Sequence, residues 1–157
     1  MSVTALKKDS SVLLHDADVI GDYWPLLPAG RYLVNFQHHE TSLIFNSAKV
    51  FVHFKISEGE YAGARLFRAY RAHRLIGRPG KNGRFQLKPG SELYRTVCRL
   101  SPSQKRPDRI SLRPWRHVIF SVSVRTVNQD ARQRQLPESL RYSVVDDILS
   151  IEAGSLS

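Results

Sequence analysis

The stretch Lys49-Val50-Phe51-Val52-His53-Phe54-Lys55-Ile56-Ser57 alternates at every step. Val50, Val52, Phe54 and Ile56 fall on one side, and Lys49, Phe51, His53 and Lys55 on the other. Successive side chains of a strand point to opposite faces, so this pattern predicts a half-buried β-strand with an apolar inner face. Glu58-Gly59-Glu60-Tyr61-Ala62-Gly63 follows as a turn, and the next segment is expected to fold back as a hairpin partner.

That next segment, Ala64–His73, supports two readings. Arg65, Arg68, Arg71 and Arg74 recur every third residue, as on a helical stripe. As a strand, Arg65, Phe67, Arg71 and His73 share a face, with Leu66 and Tyr70 opposite. The glycine turn before it and its aromatic content favour the strand.

Upstream, Arg31–His38 alternates Tyr32, Val34 and Phe36 against Arg31, Asn35 and Gln37, which gives a first strand introduced by Pro25, Pro28 and Gly30. Residues 1–24, with His15, Asp16, Asp18 and Asp22, are expected to form a flexible leader or arm. Downstream, Leu75–Gly90 reads as a long loop broken by Gly77, Pro79 and Gly80. Ser91 can cap a short helix to Leu100, with Leu93, Val97 and Leu100 on one stripe. Ser101-Pro102 ends it, and Gln104–Pro114 is a second basic loop. Val118–Val127 is again a strand, with Val118, Phe120, Val122 and Val124 inward. Asn128–Pro137 is a polar connection, and Tyr142–Ile151 supplies the last apolar strand before a tail at 152–157. No internal repeat is present.

Three strands, a helix and two strands is the element order of the all-β, five-stranded oligonucleotide-binding (OB) barrel, with its one short helix between strands three and four. One such domain over residues 25–151 is therefore expected; the competing layout is an α+β sandwich with the helix on one face. Gly30-Arg31-Tyr32-Leu33-Val34 and the run from Val50 to Phe67, with Gly59-Glu60-Tyr61-Ala62-Gly63 inside it, resemble the single-stranded-DNA-binding-like OB proteins of phages and mobile genetic elements. The resemblance covers roughly residues 30–125. It implies single-stranded DNA binding in replication or recombination of such an element. The chain departs from the bacterial single-strand binders in lacking their glycine-rich linker and acidic C-terminal tip, which puts recruitment of replication partners in doubt.

Charge points the same way. The chain has 157 residues, 41% of them hydrophobic and 24% charged, ordinary for a globular domain. Its net charge of +10 is not ordinary. Arg65 to Arg116 holds fifteen Lys and Arg against only Glu92 and Asp108, so this third carries +13 and the rest of the chain −3. A concentrated surplus of this kind marks a surface for a polyanion more often than a merely solvated face.

Single strands are held by a cationic groove for phosphates and by aromatic faces on which bases stack, each stacked base contributing about 1–3 kcal/mol. Lys49, Phe51, His53 and Lys55 offer both along one strand face, and Arg65, Phe67 and Arg71 extend it across the hairpin. Arg74, Arg78, Lys81, Arg84, Phe85 and Lys88 in the first loop, with Lys105, Arg106 and Arg109 in the second, add phosphate contacts. Arg113 and Arg116 flank Trp115, which is either a stacking platform or a plug at the barrel end. Phe51 and Phe67 carry the same ambiguity, since both could instead pack under a loop or at a dimer interface.

Other chemistries have weaker support. Gly77-Arg78-Pro79-Gly80 and Gly80-Lys81-Asn82-Gly83 match the GxxG of KH domains, but that loop needs flanking helices. Gly80-Lys81 lacks the spacing and the Ser or Thr of a Walker loop. His38-His39-Glu40 reads as a solvated strand end, because adjacent histidines of a strand face opposite ways. Converging carboxylates for a metal-dependent nuclease are missing from the basic third, and Cys98 is a lone thiol on the helix. The chain is thus expected to be a non-enzyme without cofactor or metal, in a reducing, cytoplasmic-type compartment and without a membrane partner. Single-stranded DNA is the expected partner. RNA, a duplex, an acidic protein or a second copy of the chain are the alternatives.

Overall fold

The computed structural model describes residues 25–104, 106–130 and 132–154. The leader at 1–24, Lys105, and residues 155–157 of the expected tail lie outside the described residues.

The first strand is longer than its alternation suggests. β1 runs Gly30–Ile44 and turns directly into β2, Ser47–Ile56. The pairing slips between Phe36 and His38, so Gln37 is an extra residue in β1. A bulge of this kind reverses which side chains face inward beyond it. Val34 and Phe36 enter the core ahead of the bulge, while beyond it His38 turns out opposite His53 and His39 turns in against Phe85. The period-two signal fails at this point of the sequence, which hid six further residues of strand.

β3, Arg65–Arg71, pairs antiparallel with β2 across the Gly59–Gly63 turn, so the strand reading of the arginine-rich segment is the correct one. β7, Ile119–Val127, and β8, Tyr142–Ala153, complete a sheet of order β3-β2-β1-β7-β8. The presumed loop at 75–90 is partly ordered. β4, Arg74–Ile76, pairs with β6, Arg84–Gln86, and β5, Gly80–Lys81, adds to the edge of β1 at Glu40 and Thr41. Among the described residues the fold is mostly β, with one α-helix and an antiparallel sheet.

That helix, α1, spans Glu92–Leu100, and the Ser91 hydroxyl accepts from Tyr94 N, so the expected cap is present. Leu93 and Val97 are fully buried against the inner face of the sheet. β3 and β8 lie side by side without a hydrogen-bonded ladder between them. Side chains bridge the seam instead. Arg68 of β3 donates to the Asp146 carbonyl of β8 and pairs with Glu92 of α1 at 2.6 Å. Arg99 at the other end of α1 donates to the carbonyls of Ile148, at 2.6 Å, and Leu149, at 3.0 Å. None of the described helices is long and apolar enough to cross a membrane.

Leu93 is the anchor of α1, and removing its side chain leaves a cavity that the sheet cannot fill. Leu93→Ala is expected to cost about 2–5 kcal/mol, read as a lower urea midpoint with unchanged slope.

Candidate nucleic-acid interface

The β2–β3 hairpin brings the expected face together in register. Lys49 lies opposite Arg71, His53 opposite Phe67, and Lys55 opposite Arg65. Its centre is nevertheless covered. Phe51 is 3% exposed and Phe67 1%, packed with Tyr142 and Val144 of β8 and with Leu136 of the connection before it. The Phe67 and Tyr142 rings stack at 6.1 Å, with 16° between planes. This corrects the stacking role given to the two phenylalanines: a base cannot reach them while β8 and Leu136 occupy that face. Lys49, Lys55, Arg65 and Arg71 remain as a charged rim.

Trp115 is likewise in the core, edge-on to Phe36 at 6.0 Å and tilted against Phe120 at 5.1 Å. Of its two readings the packed one is found, and its indole Nε1 has no hydrogen-bond partner among the described residues. Phe85, 4% exposed, packs edge-on against His39 and offers no free face.

The cations fared differently. Arg71, Arg74, Arg78, Lys81, Arg84, Lys88, Arg106, Arg113 and Arg116 are all exposed. Arg106 is paired with Asp108 at 2.9 Å, and Arg74 donates to Gln86 at 2.7 Å. Among the described residues no carboxylate lies within ion-pair distance of Arg71, Arg78, Arg84, Lys88, Arg113 or Arg116. Buried cations would need such partners; these keep their charge in water and free for an anion.

Four arginines converge on one cleft. It has a volume of about 730 Å³ and opens between β1, the turn into β6 and the segment 108–116. Arg84, Arg109, Arg113 and Arg116 line it, with Asp108 as the one acid, and Phe36, Phe85, Ile110 and Leu112 supply apolar wall. Two short 3-10 turns, Pro107–Arg109 and Arg113–His117, hold the second basic loop in place. His39 Nε2 donates to the Gly83 carbonyl at 2.7 Å, which fixes the tautomer at the cleft wall. Burial lowers the proton affinity of His39, and the positive Arg116 adds to this. Gly83 has no alternative residue here, since a Cβ would collide with the Thr41 hydroxyl. That hydroxyl accepts from Gly80 N at 3.1 Å and ties β5 to β1.

Both GxxG matches fall in this region, among the short strands β4, β5 and β6, without the helices a KH loop requires. Cys98 donates to the Gln104 carbonyl at 3.3 Å and is half-buried, a packed thiol. His38, His39 and Glu40 are half-buried inside β1, not at a solvated strand end. His38 and Glu40 share a face with His53, and these three could hold a metal ion.

One exposed aromatic escaped the sequence reading. Phe45 caps the β1–β2 hairpin at 85% exposure, with Leu43 beside it at 56%. Phe45 and Asn46 both have positive φ, 51° and 63°, the mirror-image two-residue turn that suits a hairpin. Asn accepts that conformation readily; a bulky aromatic there is strained. The signal is the two-residue spacing between two strands, which the lack of alternation over the last six residues of β1 conceals.

Comparison with known protein families, curated proteins and solved structures finds no match to this chain.

Burial separates the aromatics by consequence. Phe51→Ala is expected to lower stability by about 3–5 kcal/mol in denaturant unfolding. Phe45→Ala, at an exposed and strained position, is expected to stay within about 0.5 kcal/mol of the parent or to exceed it.

Proposed function

We propose that this chain is a non-catalytic nucleic-acid-binding protein that prefers single strands, DNA foremost, and reads backbone rather than sequence. The observation that carries the reading is the cleft lined by Arg84, Arg109, Arg113 and Arg116, on a surface where the exposed Arg71, Arg78 and Lys88 also have no carboxylate within ion-pair distance among the described residues. Guanidinium groups match phosphate oxygens in pairs, and an array of them neutralises successive phosphates without touching base edges.

An OB-like barrel is the scaffold this reading favours. In its support, β1 lies between β2 and β7, α1 falls between the third and fourth long strands, and side chains span the β3–β8 seam. Barrels of that type bind oligonucleotides over strands two and three and the loops joining strands one to two and four to five. Phe45 stands on the first of those loops, and Arg132, Arg134 and Arg141 on the second. Replication or recombination of a mobile element is the setting the proposal carries, resting on the resemblance of the Gly30 and Val50–Phe67 runs alone.

A second reading has its own observation. With Phe51, Phe67, Phe85 and Trp115 buried, stacking is confined to few side chains, which favours a ligand held mainly by its phosphates, a duplex or structured RNA.

Fluorescence anisotropy on a dT oligomer, an RNA of equal length and a duplex, at two salt concentrations, decides between them. The first reading expects tightest binding to dT, with Phe45→Ala weakening it at unchanged charge. The Arg84→Ala/Arg113→Ala/Arg116→Ala variant should flatten the salt dependence by about 2 units of log–log slope, roughly 0.7 per lost phosphate contact. Equal binding to all three ligands with no effect of Phe45→Ala favours the second. No binding at low salt removes both and leaves the acidic-protein partner.

A further inference from the structure

We infer that His38, Glu40 and His53 form a site for one divalent transition-metal ion of the zinc class on the outer face of the sheet.

The site is made by the bulge. Val34 and Phe36 point inward, and unbroken alternation would send His38 the same way. The extra residue Gln37 turns it outward, directly opposite His53 on β2. Glu40, two residues on, then shares that face. One donor atom from each of the three residues lies within 4.8 Å of the other two. His53 Nε2 donates to Glu40 Oε1 at 3.1 Å, and the His38 and His53 rings stack at 4.6 Å between centroids. Ligand atoms around tetrahedral zinc are about 3.3 Å apart, given bonds of about 2.0–2.1 Å. Closing the set therefore takes side-chain rotations that bring donor atoms about 1.5 Å closer and turn the two stacked rings towards a common point.

The donors also select the ion. Two imidazoles and one carboxylate suit Zn²⁺, Co²⁺, Ni²⁺ or Cu²⁺, whereas Mg²⁺ and Ca²⁺ want oxygen alone. Three protein ligands leave a coordination position open. The Glu40 side chain is 41% exposed against 12% for His53, so that position faces solvent on the carboxylate side. Lys81, paired with Glu40 across β5, is the charge that opposes an incoming cation. Being exposed, it can swing into water. The site does not depend on nucleic-acid binding, and the two can be tested apart.

The experiment is a Co²⁺ titration of the full chain followed by visible absorption, then displacement with Zn²⁺, with thermal unfolding recorded beside it. One Co²⁺ per chain with a low-symmetry d–d band, displaced by Zn²⁺, and a rise in Tm with Zn²⁺ are expected. His38→Ala and Glu40→Gln should each weaken binding by at least about tenfold and abolish the Tm rise, while His117→Ala, at an exposed histidine elsewhere, should change neither. Both site variants leave the buried core intact, so they remain informative where His53→Ala fails to fold. Absence of the band and of the Tm rise at 100-fold excess of metal over protein (about 1 mM ion) overturns the inference. Binding that survives His38→Ala and Glu40→Gln overturns it equally, since the ion then sits elsewhere.

Discussion

The hydrogen-bonding capacity of β1 is the constraint on which the rest of the molecule hangs. Along one edge it carries β2 from Val34 to Ile44; along the other it carries β7 over Gly30–Asn35 and then β5 at Glu40 and Thr41. No other strand serves three partners among the described residues. The second edge could not be shared if β1 were uniform, because β7 and β5 approach from different parts of the chain. The bulge at Gln37 sits between the two stretches and lets β1 change both direction and facing there. The core under Phe36 and Trp115 belongs to one side of that break, and the cleft wall at His39 to the other.

Much of the architecture was legible because short-range rules governed it. Period-two alternation placed β2 and β7 to within two residues at each end, the glycine turn and aromatic content placed β3, the last apolar run placed β8, and the serine cap with its Leu93–Val97 stripe placed α1. What the alternation could not register was an insertion of one residue. Gln37 shifts the phase there, and the inward positions His39 and Thr41 beyond it are polar, so His39 to Ile44 carries no apolar alternation. Small ladders such as β4–β6, three residues long, fall below the length at which any period is detectable.

The candidate site was half legible, and the division is physical. An exposed cation needs no partner, so composition alone located the basic surface. Whether an aromatic is exposed depends on what arrives from elsewhere in the chain. Phe51 and Phe67 lie on the outward face of β2 and β3 as their alternation said, yet Tyr142 and Val144, from a strand far later in the chain, cover them. Trp115 fills the core beneath Phe36 and Phe120 for the same reason. Burying rings this large is favoured over leaving them exposed to water. The side chain left outside, Phe45, is held there by the two-residue turn, which has no inward direction to offer.

The seam between β3 and β8 has a consequence for how molecules of this kind coexist at high concentration. Strand edges without a ladder partner are templates on which another chain can pair, and long apolar edges seed aggregates. Here the edge carbonyls of Asp146, Ile148 and Leu149 are already taken by the guanidinium groups of Arg68 and Arg99. A second molecule approaching that edge would meet two cations and a helix in place of free backbone. The arginines that hold the sheet against its helix therefore also act as gatekeepers of colloidal stability.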